Sequence, residues 1–264
     1  MDRRLLRTTF EQVPLLYDRA RPNYPPQIFE DLVALARLPE AARVIEIGCG
    51  TGQATLPLAE LGFQITCVEL GEQLAAIARG KLARYPKVEV INADFETWQP
   101  ERAAFDGVLA FTAFHWIDPD VRYVKVASLL RDHGVLGVVA TEHVHPPDGD
   151  DFFVEVQEDY EAILPDDPDT KAGPPKPPDT IPDLGEEIRA SGLFRVIAAQ
   201  RYLWSVVYTA EEYIAVLNTY SSHRALDDDT RKRLHARILR RVQTRSGCKV
   251  RKTYLAMLNV AERL

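Results

Sequence analysis

With 264 residues, 46% hydrophobic and 27% charged, the chain has the balance of an ordinary globular protein and length for one large α/β domain or two small ones. A net charge of -7 disfavours a broad nucleic-acid footprint, so nucleic acid is not an expected partner. The start Met1-Asp2-Arg3-Arg4-Leu5-Leu6-Arg7 is no signal-peptide core, and no apolar run approaches the ~18 residues of a membrane span. The three cysteines, Cys49, Cys67 and Cys248, lack metal-type spacing and fit a reducing compartment, so a cytoplasmic protein without bound metal is expected.

Pro25 to Leu38 reads as a helix, opened by Pro25-Pro26 and carrying Ile28, Leu32, Leu35 and Ala36 at helical spacing. Arg43 to Ile47 is a buried strand running into glycines, and Gln53 to Leu61 a helix closed by Gly62. Phe63 to Glu69 is a second strand, Glu72 to Arg84 a helix stopped by Pro86, and Val88 to Ala93 a third strand. Phe105 to Phe111 is a fourth strand, Pro119 to Arg131 a helix, and Val135 to Thr141 a fifth strand. This alternation marks a parallel sheet wound on both faces, whose ligands sit beyond the carboxyl ends of the strands.

Beyond Thr141 the texture changes. His145 to Asp183 holds many of the 18 prolines, with one helix at Asp151 to Leu164, and reads as an insertion. Strand-like sequence resumes at Phe194 to Tyr208 and Val250 to Val260, with helices Ala210 to Ser221 and Asp228 to Val242 between. The expectation is one domain over 1–264: a core of about 41–141 plus late strands near 194–208 and 250–260. Cap elements of about 1–38, 145–183 and 210–246 would cover a ligand pocket.

Chemistry concentrates after the strands. Glu46-Ile47-Gly48-Cys49-Gly50-Thr51-Gly52 leads a buried strand into glycines at alternate positions, which allow a sharp turn and close approach of a ligand. The following helix start can face an anionic group. Gln53 occupies the place of the third glycine in a dinucleotide fingerprint counted from Gly48 and Gly50, against a nicotinamide cofactor. Glu69, ending the second strand, suits ribose hydroxyls, and Asp94 follows the third.

The Glu-x-Gly-x-Gly-x-Gly run from Glu46 to Gly52 resembles the first motif of the class I methyltransferases. That resemblance implies a Rossmann-like sandwich with a mostly parallel seven-stranded sheet and helical caps. It implies S-adenosylmethionine as cofactor and S-adenosylhomocysteine as product, with the loop of Gly48, Gly50 and Gly52 on the amino-acid end. Glu69 would then hold the ribose, Leu70 the adenine face and Asp94 the adenine amino group, with Phe95 and Phe111 completing the set.

Ala113-Phe114-His115-Trp116 resembles the small-molecule branch that includes trans-aconitate methyltransferases. So do Tyr17-Asp18-Arg19-Ala20-Arg21-Pro22-Asn23-Tyr24-Pro25 and the stretch from Tyr208 to Ser221. These imply a small-molecule methyl acceptor, with hydroxyl or carboxyl oxygen favoured, and place Tyr17 and Arg21 over the cofactor. Phe114, His115 and Trp116 would line the acceptor pocket. His115 suits a general base, and equally a packed wall between two aromatics.

No Asn-Pro-Pro-Tyr-like run or Pro-Cys pair suggests nucleobase methylation. The basic run Arg231, Lys232, Arg233, Arg237, Arg240, Arg241 and Arg245 follows acids Asp227 to Asp229, the polarity that complements a helix dipole; a contact with nucleic acid or an anionic membrane is the alternative reading. Two rival functions are a nicotinamide-dependent oxidoreductase and a non-catalytic S-adenosylmethionine-binding module. A monomer or homodimer is expected.

Overall fold

A computed structural model describes residues 9–264. Its seven-stranded sheet has the order β3-β2-β1-β4-β5-β7-β6. In chain order the elements are α1 (Pro14–Ala20), α2 (Pro26–Ala36), β1 (Arg43–Ile47), α3 (Thr55–Glu60), β2 (Gln64–Glu69), α4 (Glu72–Leu82), β3 (Val88–Asn92), β4 (Phe105–Phe111), α5 (Pro119–Leu129) and β5 (Leu130–Val144). There follow α6 (Phe152–Glu155), α7 (Gln157–Ile163), α8 (Pro168–Ala172), α9 (Gly185–Ala190), β6 (Phe194–Thr209), α10 (Ala210–Leu217), α11 (Ser221–Arg224), α12 (Asp228–Gln243) and β7 (Lys249–Arg263). Among the described residues no helix is long and apolar enough to cross a membrane.

The chain divides into two compact units. The first comprises Asn23–Thr141, Asp183–Tyr202 and Ala256–Leu264. Here β1 pairs in parallel with β2 and β4, β2 with β3, and β4 with β5. The reversal of strand order at β1, flanked by β2 and β4, creates the crevice where such sheets take ligands. The core packs Ile45, Ile47, Val108, Leu136 and Val138 of the strands against Val126 and Leu129 of α5 and Ile188 of α9. The strands that build this core are the near-continuous apolar runs expected of a sheet covered on both faces.

The second unit comprises residues 9–22, Glu142–Pro182 and Leu203–Leu255. It has its own core: Phe152, Phe153 and Val156 with Tyr213, Leu217, Leu234, Ile238 and Tyr254. Asp227 caps α12 by accepting the N–H of Asp229 (3.1 Å) and Thr230 (2.9 Å). Four residues of the basic run, three on α12 and Arg245 just beyond it, form ion pairs within this unit. The buried Asp159 carboxylate accepts from Arg237 (3.0 Å) and Arg241 (2.5 Å), Glu155 pairs with Arg245 (2.9 Å), and Asp228 pairs with Arg231.

Several expected boundaries need correction, and the last strand runs on from Val260 to Arg263. The helix expected from Gln53 starts at Thr55, because Gly52 sits at φ 87°, outside helical space. The fifth strand extends to Leu130 and Val144, since hydrophobic pattern marks only its buried middle; Arg131 to His133 are exposed. The helix expected over Asp151 to Leu164 divides at Val156 into α6 and α7. The helix expected to reach Ser221 stops at Leu217, with α11 following an extended Tyr220 (ψ 134°).

Candidate functional site

Where β1 ends, the chain needs conformations that glycine adopts cheaply. Gly48, Gly50 and Gly52 all have positive φ (66°, 57° and 87°). A Cβ on Gly48 would lie 2.7 Å from the Ala113 Cβ in the loop after β4, so these two loops touch backbone-close. The Gly52 N–H closes the turn onto the Cys49 carbonyl at 2.9 Å.

Glu69 ends β2 and is 7% exposed. Its Oε2 accepts the Gly50 N–H and its Oε1 the Gly71 N–H, each at 2.8 Å. One carboxylate thus pins the loops after β1 and β2. Asn92, at the end of β3, donates from Nδ2 to the carbonyls of Glu69 (3.0 Å) and Leu70 (2.9 Å), fixing the half-buried Leu70.

Glu46 lies beneath the glycine loop, 1% exposed, with Oε2 lacking a hydrogen-bond partner. Burial pushes its carboxyl up to about 7; the Thr55 hydroxyl pulls it down and the Glu69 charge adds to the rise. The Cys49 thiol is raised by the neighbouring Cys67 thiol and by burial, which disfavours it as a nucleophile.

Asp94, after β3, accepts the Glu96 N–H at Oδ1 (2.9 Å), while its carbonyl takes the N–H groups of Thr97 and Trp98. Phe95 is a core side chain under the Lys125 ammonium, 5.1 Å from the ring centre. Burial lowers the Lys125 pKa, opposed by the charges of Asp94 and Glu96. Phe111 is buried against Phe29, stacked at 5.5 Å, and the edge of Tyr24 at 5.3 Å.

The exit of β4 is strained at Thr112, whose φ of 54° is unusual for a β-branched residue. Its N–H donates to the Val139 carbonyl (2.7 Å), and its hydroxyl meets those of Tyr24 (2.9 Å) and Thr141 (3.1 Å). A 3-10 turn over Phe114–Trp116 then sends neighbouring side chains in opposite directions. His115 is exposed and lies on the Trp116 ring at 4.7 Å. Phe114 is turned into the core against Tyr123, so the expected pocket wall is a packing residue.

The structure therefore brings Glu46, Gly48, Gly50, Gly52, Glu69, Leu70, Asp94 and the His115 turn to the carboxyl ends of β1 to β4 in the first unit. Tyr17 and Arg21 belong to the second unit. There Arg21 donates to the Thr219 carbonyl (2.8 Å) and lies over the rings of Tyr17 (5.0 Å) and Tyr220 (4.6 Å). Sequence reasoning missed Asn92, Thr112 and Tyr24 as site-shaping residues. Tyr24 stood in a quoted motif; nothing in the sequence announces a Thr at positive φ.

Residues 44–134 match a family model described as a methyltransferase domain. The chain is 32% identical over 52% of its length to an uncharacterised methyltransferase of Mycobacterium tuberculosis, covering 54% of that protein. It is 30% identical over 62% of its length to a malonyl-[acyl-carrier protein] O-methyltransferase of Geobacter sulfurreducens, covering 60% of it. It is 30% identical over 51% of its length to a trans-aconitate 2-methyltransferase of Variovorax paradoxus, covering 51% of it. The matched part thus spans little more than half the length of these relatives. A solved structure from Anaeromyxobacter dehalogenans, provisionally described as a type II methyltransferase, superposes with TM-score 0.59 at 23% identity, covering 91% of this chain and 97% of that one. The [4+2]-cyclase SpnF superposes at 0.53 and 17% identity, over 92% of this chain and 84% of its own, so the fold alone does not fix the reaction.

Proposed function

We propose that this chain, which carries a class I S-adenosylmethionine-dependent methyltransferase domain, methylates an oxygen of a small acid. The observation that carries the reading is the Glu69 carboxylate spanning the Gly50 and Gly71 N–H groups at the sheet's switch point. The residues fit the cofactor. Positive-φ glycines give the sharp turn that brings backbone to the ends of β1 and β4, the Glu69 carboxylate stands at the end of β2 where a ribose would lie, and the Glu46 Oε2 is an unsatisfied acceptor under the loop. Gly48, Gly50 and Gly52 would hold the amino-acid end, Glu69 the ribose, Leu70 the adenine face and Asp94 its amino group. The bound cofactor supplies a methyl group already activated by its sulfonium.

The protein's task is then alignment and exclusion of water. A carboxylate acceptor is ionised at neutral pH and needs no base. His115, on its turn after β4, would orient the acceptor. The names of two relatives, an O-methyltransferase and a methyltransferase of trans-aconitate, support an oxygen of an acid as acceptor. Incubation with methyl-labelled S-adenosylmethionine and separate panels of carboxylic acids, phenols and amines tests this. Label in acid esters is expected; label only in amines, or in no panel, overturns it.

A further inference from the structure

The second unit holds a half-open cavity of about 470 Å³, within the range of small-molecule sites. Apolar side chains, among them Phe153, Val156, Leu226 and Leu234, line it, and so does Lys252. Lys252 is 2% exposed. Its ammonium donates to the Tyr220 hydroxyl (2.7 Å) and lies over the rings of Tyr220 (4.7 Å) and Tyr254 (5.2 Å). No salt bridge pairs it with an acid among the described residues.

Arg21 lies over the same Tyr220 ring at 4.6 Å, so one phenol carries two cations. Their charges lower the Tyr220 pKa against the upward effect of burial. The imidazoles add no positive charge at neutral pH. Burial, aided by nearby cations, lowers His143 well below its usual range, and burial with His235 alongside takes His223 to about 3. His223 is tied to Tyr160 (3.1 Å) and His235 (2.9 Å). Two acids also line the cavity. The Glu142 side chain is exposed, and the Asp167 Oδ1 accepts the Thr170 N–H (3.3 Å). Among the described residues no ion pair joins either acid to Lys252, and a buried ammonium without a carboxylate partner is held at considerable cost.

We propose that this cavity is a binding site for a small, largely apolar carboxylic acid whose carboxylate meets Lys252. A single carboxylate matches the single buried ammonium, and the apolar walls match a hydrocarbon body. The site lies wholly in the unit without the glycine loop, and the inference stands whether or not the bound acid is the one methylated.

Calorimetric titration of the cofactor-free protein with benzoate, trans-cinnamate and octanoate, each against its neutral alcohol, tests it. At least one acid should bind ten-fold or more tighter than its alcohol. Lys252→Met, which keeps the stem and removes the charge, should bring that acid to the level of its alcohol while the melting temperature stays level or rises. Leu226→Trp, which fills the cavity, should weaken acid and alcohol alike. No acid binding at millimolar concentration, equal binding of acids and alcohols, or full acid affinity in the Lys252→Met protein would overturn the proposal. Label appearing in the bound acid after addition of methyl-labelled S-adenosylmethionine would identify it as the acceptor; its absence leaves the binding site intact and counts only against the methyl-transfer reading.

Discussion

Glu46 carries a pH dependence that can be read from its surroundings. Its folded-state pKa of about 7 stands above the ordinary 4.5, so the folded protein holds this proton more tightly than the unfolded chain. Its contribution to stability is present below pH 4.5 and is lost as pH rises through 7, a change of about 3 kcal/mol. Cofactor affinity should move the other way, because an ionised Glu46 favours a ligand ammonium. Affinity for S-adenosylhomocysteine is expected to rise up to ~10-fold from pH 6 to pH 8 and to flatten in Glu46→Gln. A flat profile in the wild type would place the ammonium elsewhere. His115 makes a different prediction. Exposed, and needed by no carboxylate acceptor as a base, it should be replaceable: His115→Gln should keep kcat within about 10-fold and act mainly on the acceptor KM. A loss of ~100-fold or more in kcat would make it the base.

The tightest joint between elements is that of the loops after β1 and β4. Gly48→Ala places a methyl group 2.7 Å from the Ala113 Cβ at φ 66°, so strain and clash act together. A loss of roughly 2–3 kcal/mol is expected in thermal or urea unfolding. Gly48→Ala combined with Ala113→Gly should recover only the clash, leaving the backbone strain; full recovery would show that the conformation itself is cheap. These elements were legible in different degrees. Buried strands such as Phe105–Phe111 announce themselves because every side chain but Asp106 is apolar or small. The ends of β5 do not, because Arg131 to His133 and Glu142 are exposed and hydrogen bonding alone extends the strand. Phe114 and His115 show the same limit at a site: the tripeptide is readable, but only the turn decides which ring faces inward.

At the scale of the whole molecule, the alternation of strands and helices gives the parallel half of the sheet, and the glycine loop its ligand-bearing end. The division into two units, the second with a core of its own, was not legible, because a Pro-rich insert and two late strands carry no mark of which side chains they join. The sequence pointed to a helix dipole behind the basic run; the ion pairs of Asp159 with Arg237 and Arg241 add a structural role for part of it that the sequence did not announce. The cofactor assignment rests on the first unit alone. Calorimetric titration of wild type and Glu69→Ala with S-adenosylhomocysteine and with a nicotinamide dinucleotide tests it most directly. Binding of S-adenosylhomocysteine, weakened by roughly 1–3 kcal/mol in Glu69→Ala, with no heat from the dinucleotide, is expected. Dinucleotide binding without S-adenosylhomocysteine binding, or an affinity for S-adenosylhomocysteine indifferent to Glu69, would contradict it.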